Sequence, residues 1–417
     1  MDKVRTKIGF QYFTSEDYFT YQQLNVWMPI LRQAGATVLY FSSGLDYAIP
    51  EDVIQCAIEN DLTPSLHFTT ELPTPQQVSE ILYLFDLYAK WGVASVILGK
   101  KPNIKASWQI TGWQNENLID LFLDRLVPLM EHSIKVGLKP VLSPLQPGGN
   151  FWDTAFMELV LRGLEMRSLR EILGQISLAS FGYTYNKPLS WGMGGPERWS
   201  ISKPYSTEEG HEDQLGFHNF EWIQAIGQKI VGKRLPVVIL DAGFPESDDF
   251  QQYVTSVQKI LTAFGYKERV DLSQNDQIKI DETIEVCAFS LDSLQKFHKG
   301  SMDVTSFGKI FLKNSIQANT HSSEPKGTKT IRHYLLLPKH ESGVSDVVLN
   351  KVKPFIKKFH PTIGFSLEEA YLASKVSIFP DSLLFSTTDI NRLRSAGCVV
   401  QVLPENGIDI ATSLQGT

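Results

Sequence analysis

Short apolar runs rich in β-branched residues alternate with longer runs whose apolar positions recur at helical spacing, and the alternation continues for about 300 residues. Eight of the short runs predict strands. They are "KIGFQYF" (7–13), "TVLYFSS" (37–43), "TPSLHFTT" (63–70), "ASVILGK" (94–100), "KPVLSPL" (139–145), "ISLASFGYT" (176–184), "PVVILDAG" (236–243) and "IEVCAFSL" (284–291). Among the long runs, "YQQLNVWMPILRQAG", "TPQQVSEILYLFDLYAKWG", "ENLIDLFLDRLVPLMEHSIKVG" and "DDFQQYVTSVQKILTAFG" each end at a glycine, a helix stop. The inner strands read as continuous apolar stretches, as a parallel sheet covered on both faces requires. Eight strand–helix units in succession predict an α/β fold, a (β/α)8 TIM barrel. An open doubly wound sheet is the rival, but no Gly-rich dinucleotide fingerprint follows the first strand.

The pattern changes after the eighth strand. "KNSIQANTHSSEPKGTKT" (313–330) is polar and reads as a linker between a barrel at 1–312 and a small domain at 331–417. In that domain "HYLLLP" and "CVVQVLP" predict strands, and "PTIGFSLEEAYLASKVSIFP" predicts a strand, a short helix begun at Ser366 and another strand. "GVSDVVLNKVKPFIKKFH" and "DSLLFSTTDINRLRSAG" predict helices, giving a three-layer α/β unit with a parallel sheet.

Composition narrows the partners. The 417-residue chain is 42% hydrophobic and 20% charged, the balance of a globular protein. Its net charge of −7 and the absence of a dense Lys/Arg block argue against nucleic acid or an anionic membrane. No apolar run approaches the length of a membrane span, and no apolar stretch precedes the first strand, so the expected compartment is the cytoplasm by default. Cys56, Cys287 and Cys398 sit singly among apolar neighbours and read as buried thiols. Neither they nor His211 and His218 show metal-ligand spacing, and no cofactor is expected.

A barrel keeps its working residues at the C-terminal ends of its strands. Strand 1 ends in Gln11, Tyr12 and Phe13, and strand 3 in His67 and Thr69, with Glu71 just beyond. Strand 4 ends in Lys100, Lys101 and Asn103. Strand 5 ends in "SPLQPGGNFWD" with Gln146, Trp152 and Asp153. Strand 6 ends in Tyr183 and Tyr185, strand 7 in Asp241, and strand 8 in Ser290 and Asp292. Flat aromatic faces stack on sugar rings, and amides and carboxylates bond hydroxyls, so this rim suits a carbohydrate.

On these residues the layout resembles the clan of retaining (β/α)8 glycoside hydrolases. In that clan the acid/base glutamate ends strand 4 in an Asn-Glu-Pro motif, and the nucleophile glutamate ends strand 7. Gly99-Lys100-Lys101-Pro102-Asn103 is similar to the clan's Gly-Asn-Glu-Pro-Asn with the middle pair replaced. Leu240-Asp241-Ala242-Gly243 is similar to its strand 7 ending with Asp for Glu. The resemblance implies catalytic positions at Lys101 and Asp241. A retaining glycosidase needs two carboxyls about 5–5.5 Å apart. Lys101 stands at the acid's place, and an ammonium with an ordinary pKa of about 10.4 is a poor proton donor at neutral pH. Asp241 is one methylene short, and a setback of about 1 Å can cost about a hundredfold in rate.

The expectation is therefore a glycosidase-like barrel with a degenerate catalytic pair, a carbohydrate-binding or scaffold protein. The alternative is an active hydrolase using Asp241 as nucleophile or base with a displaced acid such as Glu71. Lys101 reads as an ion-pair partner of Asp241, as a Schiff-base amine, or as a solvated charge. Asp153, Glu197 and Glu246 read as solvated loop acids. An inverting spacing, about 6.5–9.5 Å between carboxyls, stays open. The long strand 6–7 connection reads either as a sugar-stacking wall through Trp191 and Trp199 or as a loop packing its own aromatics on the rim. The last part of the small domain resembles bacterial cell-wall-binding repeats over about forty residues. Tethering, a protein partner or self-association is the role expected of this domain.

Overall fold

A computed structural model describes residues 7–44, 48–69, 77–108, 110–245, 247–266, 281–297, 304–312, 329, 331–338, 346–359, 361–379, 390, 392–394 and 396–403. The chain divides into two compact units, Met1–Ala318 and Asn319–Thr417. The expected linker lies, except for Lys329, outside the described residues.

The first unit is a closed barrel of eight parallel strands in sequence order. They are β1 (Lys7–Gln11), β2 (Ala36–Ser43), β3 (Thr63–Phe68), β4 (Ser95–Leu98), β5 (Lys139–Leu142), β6 (Ser177–Tyr183), β7 (Val237–Gly243) and β8 (Ile284–Ser290). The four helices expected from glycine stops form at Tyr21–Gln33, Val78–Lys90, Leu118–Val136 and Phe250–Ala263. Helices Glu51–Glu59, Asp153–Met166 and Asn219–Val231 complete units that the reading of the chain had not resolved. Strands 4 and 5 stop at Leu98 and Leu142, so Lys100 and Ser143 already belong to the loops.

Period-two alternation sorts each strand's side chains between two cores. Val38, Tyr40, Ile97, Val141, Ala179, Phe181, Val238, Leu240 and Val286 fill the barrel's interior. Leu39, Phe41, Leu66, Phe68, Val96 and Ile239 face outward into the helix layer. Burying one such side chain contributes roughly 1.5–3 kcal/mol. Three bulges interrupt the ladders. Thr37 is the extra residue between β1 and β2, and Glu285 that between β7 and β8. Between Phe181–Leu240 and Tyr183–Gly243, β7 carries one residue more than β6.

The second unit is a four-stranded parallel sheet ordered β10-β9-β11-β12, with β9 at Ile331–Leu336, β10 at Thr362–Gly364, β11 at Ala373–Ile378 and β12 at Val399–Val402. Helix Asp346–Phe359 covers one face through Val352 and Phe355 against Leu335 and Leu337. Ala370, Leu393 and Cys398 pack on the other against Tyr334 and Val376. The expected helix at 381–397 falls largely outside the described residues. Cys287 and Cys398 are buried, whereas Cys56 is only half-buried. Among the described residues no helix is long and apolar enough to cross a membrane.

The β6–β7 contact leaves no room at Gly182, where a Cβ would lie 2.7 Å from Ile239 Cγ2 and 3.1 Å from the Ala242 Cα. Gly182→Val is expected to lower stability by about 1–3 kcal/mol, read as a lower urea midpoint at unchanged slope.

Candidate functional site

The C-terminal mouth of the barrel is assembled from strand ends held in uncommon backbone conformations. Lys101, Tyr185 and Asp241 have φ of 52°, 47° and 48°. These are left-handed values that a side chain beyond Gly or Asn adopts at an energetic cost, and such residues concentrate at working sites. Gly99, with φ 89°, makes the turn that brings Lys100 and Lys101 onto the rim. The Lys101 amide donates to the Pro144 carbonyl at 3.0 Å, which ties this turn to the loop after β5.

Asp241 sits in the β7 bulge. Simple alternation would follow inward Leu240 with an outward residue, and a bulge re-aims the side chain. Its amide donates to Gln11 Oε1 at 2.9 Å, and its Oδ2 accepts from Tyr183 Oη at 3.5 Å. Burial pushes the carboxyl's pKa above the ordinary value. Lys100, Lys101 and the Tyr183 hydroxyl pull it back, and Asp292 pushes it further up. Asp292 is itself oriented by the Thr14 amide, 3.1 Å from its Oδ2.

The Lys101 ammonium lies over two stacked rings, 4.9 Å from the Phe181 centroid and 5.5 Å from that of Tyr183. A cation over ring faces is held by the ring quadrupole without losing its charge. Lys101 therefore projects into the mouth and does not stand free in solvent, and its charge acts on Asp241.

His67 lies in the same layer, buried, with Nε2 at 3.3 Å from the Gly99 carbonyl. That contact assigns the proton to Nε2. Burial, reinforced by Lys100, pushes the imidazole down to about 3, so it stays neutral. Gln146 reaches Tyr185, with Nε2 donating to Oη at 3.3 Å, and the Tyr183 and Tyr185 rings meet edge to face at 5.6 Å. The mouth thus gathers Gln11, His67, Lys101, Gln146, Tyr183, Tyr185 and Asp241.

Several expected site residues lie elsewhere. Tyr12 is a core residue, packed between Phe19 and Phe41, with its hydroxyl donating to the Tyr18 carbonyl at 2.9 Å. Asn103 is fully buried and staples two loops: Oδ1 accepts from the Gln146 amide, and Nδ2 donates to the Gln146 and Phe151 carbonyls at 2.8 and 2.9 Å. Asp153, expected as a solvated acid or a sugar ligand, is buried. It accepts from the Gly148 amide, Gln214 Nε2 and Asn219 Nδ2. A carboxyl of this kind joins segments because its four lone-pair positions can serve donors from both. Trp152 meets Tyr205 at 4.9 Å, and its amide donates to the Tyr205 hydroxyl. Glu71 and Glu246 lie outside the described residues.

The long connection after β6 packs its own aromatics. Trp191 donates to Asp213 Oδ1 at 2.8 Å and carries the Lys187 ammonium over its ring at 4.1 Å. Trp199 donates to the Met193 carbonyl and carries Arg198 at 4.9 Å. Asp213, which the sequence reading passed over, also accepts from the Leu215 amide and Thr207 Oγ1 and is the hub of this loop. His218 is buried against Glu221, Nδ1 to Oε1 at 2.9 Å. Among the described residues no His, Cys, Asp and Glu group has the geometry of a metal site.

No protein-family model matches the chain, and no curated protein does. Solved structures that match include a sugar phosphate isomerase/epimerase from Parabacteroides distasonis, at 13% identity over 75% of this chain and 95% of that one, TM-score 0.39. Thermotoga maritima Cel5A, solved with cellobiose, matches at 13% identity over 69% and 91%, TM-score 0.41. An endo-β-1,3-glucanase of family GH128 from Amycolatopsis mediterranei, solved with laminarihexaose, matches at 11% over 74% and 98%, TM-score 0.37. The barrel assignment rests on this chain's own closed parallel sheet.

Three outcomes follow from the site's chemistry. Asn103→Ala leaves the Phe151 carbonyl and the Gln146 amide without their Asn103 partners, and is expected to destabilise the unit by roughly 1–3 kcal/mol in urea unfolding. His67 binds its proton more weakly folded, at about 3, than unfolded, near its ordinary 6.5. Between those values the unfolded chain holds the extra proton, so stability falls as pH drops through that window, by at most about 1.4 kcal/mol per pH unit. Calorimetric unfolding from pH 4 to 8 should show this acid limb in the wild type and a flatter one in His67→Gln. Asp241 acts with the opposite sign: its raised pKa favours the fold below the ordinary value near 3.8 and is lost as pH rises through the folded value. Asp241→Asn should remove that loss.

Proposed function

We propose that the C-terminal mouth of the barrel binds a carbohydrate and does not cleave it by the retaining two-carboxyl route. The observation that carries this reading is the Lys101 ammonium over the Phe181 and Tyr183 rings beside Asp241. The retaining mechanism asks one group to donate a proton to the leaving oxygen and then to take a proton from water, while the opposite carboxylate attacks ionised. An ammonium seated on ring faces, while it carries its proton, has no lone pair for the second step. Asp241 meets the other requirement less well than an exposed carboxylate, because burial raises its pKa against the pull of Lys100 and Lys101.

What the mouth offers instead is recognition. Asp241 and Gln146 accept and donate to hydroxyls, Tyr185 presents a half-buried ring, and Lys100 and Lys101 supply cations. Gln11 is a positioning residue, since its amide oxygen is taken by the Asp241 backbone. For the small domain we propose tethering or self-association. Apolar side chains exposed at its two edges, Ile363 and Phe365 beside β10 and Val399 and Val402 on β12, support that role.

Aryl glycosides and a glycan array test the reading together. Wild type is expected to release no phenol, Lys101→Glu to show detectable turnover, and Tyr185→Ala to bind the retained oligosaccharide about tenfold more weakly. Turnover by wild type that disappears in Asp241→Asn would replace this reading with an active hydrolase whose acid lies elsewhere, Glu71 being the candidate. Silence in every variant with no glycan retained would leave the barrel a structural role.

A further inference from the structure

The opposite end of the barrel holds a concavity of about 700 Å³, lined by Tyr40, Val38, Val141, Val238 and Val286. A (β/α)8 interior is ordinarily a packed core, so an opening of this size at the N-terminal face is a departure. It comes from side-chain choice: the strand starts around it carry Thr63, Ser65, Ser95 and Ala94, which are too small to close it.

The charges lining this concavity cancel in pairs. Lys139 Nζ meets Glu285 Oε1 at 2.5 Å, and Ser177 Oγ donates to Glu285 Oε2 at 2.8 Å. Glu285 is the bulged residue of β8, which is how an acid from a parallel strand comes to lie against Lys139. Arg234 meets Asp281 at 2.6 Å and donates to Gln224 Oε1 at 2.7 Å. Lys7 and Glu282, of opposite sign, stand exposed at the rim. A charged ligand would find no uncompensated counter-charge on the floor, and would lose its hydration there without return.

Two neutral donors remain. Ser95 Oγ donates to Ser65 Oγ at 2.9 Å, which leaves the Ser65 proton for another acceptor. The Tyr40 side chain also lines the concavity, and its hydroxyl can donate to a ligand there. Burial and the neighbouring Glu285 raise the Tyr40 pKa, so this phenol is a donor at any physiological pH. A hydroxyl that lines the concavity is available to an acceptor on a ligand.

We propose that the N-terminal end of the barrel is a second binding site, for a small uncharged aromatic molecule whose carbonyl oxygen accepts from Tyr40 and Ser65 while its ring body lies on the valine floor. The site is separate from the mouth and does not depend on how the mouth is read. Predominantly apolar linings with a few convergent polar groups are the usual make-up of such pockets.

Titration of the full chain with prodan, a neutral naphthyl ketone whose emission moves to the blue in an apolar site, tests this. Saturable binding of one equivalent with a blue shift is expected. Tyr40→Phe, which keeps the shape and removes the donor, should weaken it about fivefold to tenfold. Val238→Phe should fill the floor and abolish it, and the anionic anilinonaphthalene sulfonate should bind at least about tenfold more weakly than prodan. No saturable binding, a sulfonate bound as tightly as the ketone, or an affinity unchanged in Tyr40→Phe would each overturn the proposal. The tyrosine variant decides by itself if Val238→Phe does not fold.

Discussion

Eight parallel strands close into a barrel only if each neighbour keeps a continuous backbone ladder, so a residue in excess must leave the ladder as a bulge. This chain has three such residues, and two of them carry its most consequential acids. The bulge in β7 presents Asp241 at one end of the barrel, and the bulge in β8 presents Glu285 at the other. Without the first, Asp241 would follow the outward phase set by Ile239 and face the helix layer. The electrostatics of both ends therefore follow from backbone register.

The two acids meet different surroundings. Glu285 has a donor on each oxygen, Lys139 and Ser177, and keeps partial access to water. Asp241 has one long contact from Tyr183, a neighbouring carboxyl in Asp292, and cations whose attraction does not offset the loss of hydration. The Lys101 charge is shared between that carboxyl and two ring faces. Placing a cation on a quadrupole satisfies it without a fixed ion-pair geometry, which is compatible with the strained rim conformation at Lys101 and Asp241.

The architecture was legible in the sequence because it rests on periodicity. Continuous apolar strands and glycine-stopped helices specify a parallel barrel whatever their exact bounds. The rim was legible only by strand. That Gln11, His67, Lys101, Tyr183 and Asp241 end strands follows from where the runs stop, and the structure brings them together. The fate of polar residues further along a loop was not legible. Asn103, Asp153 and Asp213 look in sequence like any amide or acid near a barrel mouth. Each is instead consumed by backbone amides, carbonyls and side chains of its own loops. Gly149 carries the one local hint, since a Cβ there would lie 2.4 Å from Asn103 Nδ2. Tyr12 was misplaced for a simpler reason: it keeps the outward phase of Ile8 and Phe10, and its ring lies in the helix layer.

The long loops of this barrel are rigidified by the residue types that, on a bare rim, would face a ligand. Asn103 joins the loop after β4 to that after β5, Asp153 joins the latter to the segment after β6, and Asp213 holds that segment's tryptophans. A buried carboxyl or amide with all its partners present loses more when one is removed than it gains when all are, so such staples resist piecemeal loss. The consequence for function is a division of labour by depth. Polar groups close to a strand end, out to Lys101 and Gln146, stay at the mouth, while Asn103, Asp153 and Asp213, further out, are committed to loop structure. Under the proposed reading, a carbohydrate at the mouth would be contacted by a short list of side chains near strand ends, on a frame whose loops are already fixed, which lowers the ordering cost of binding.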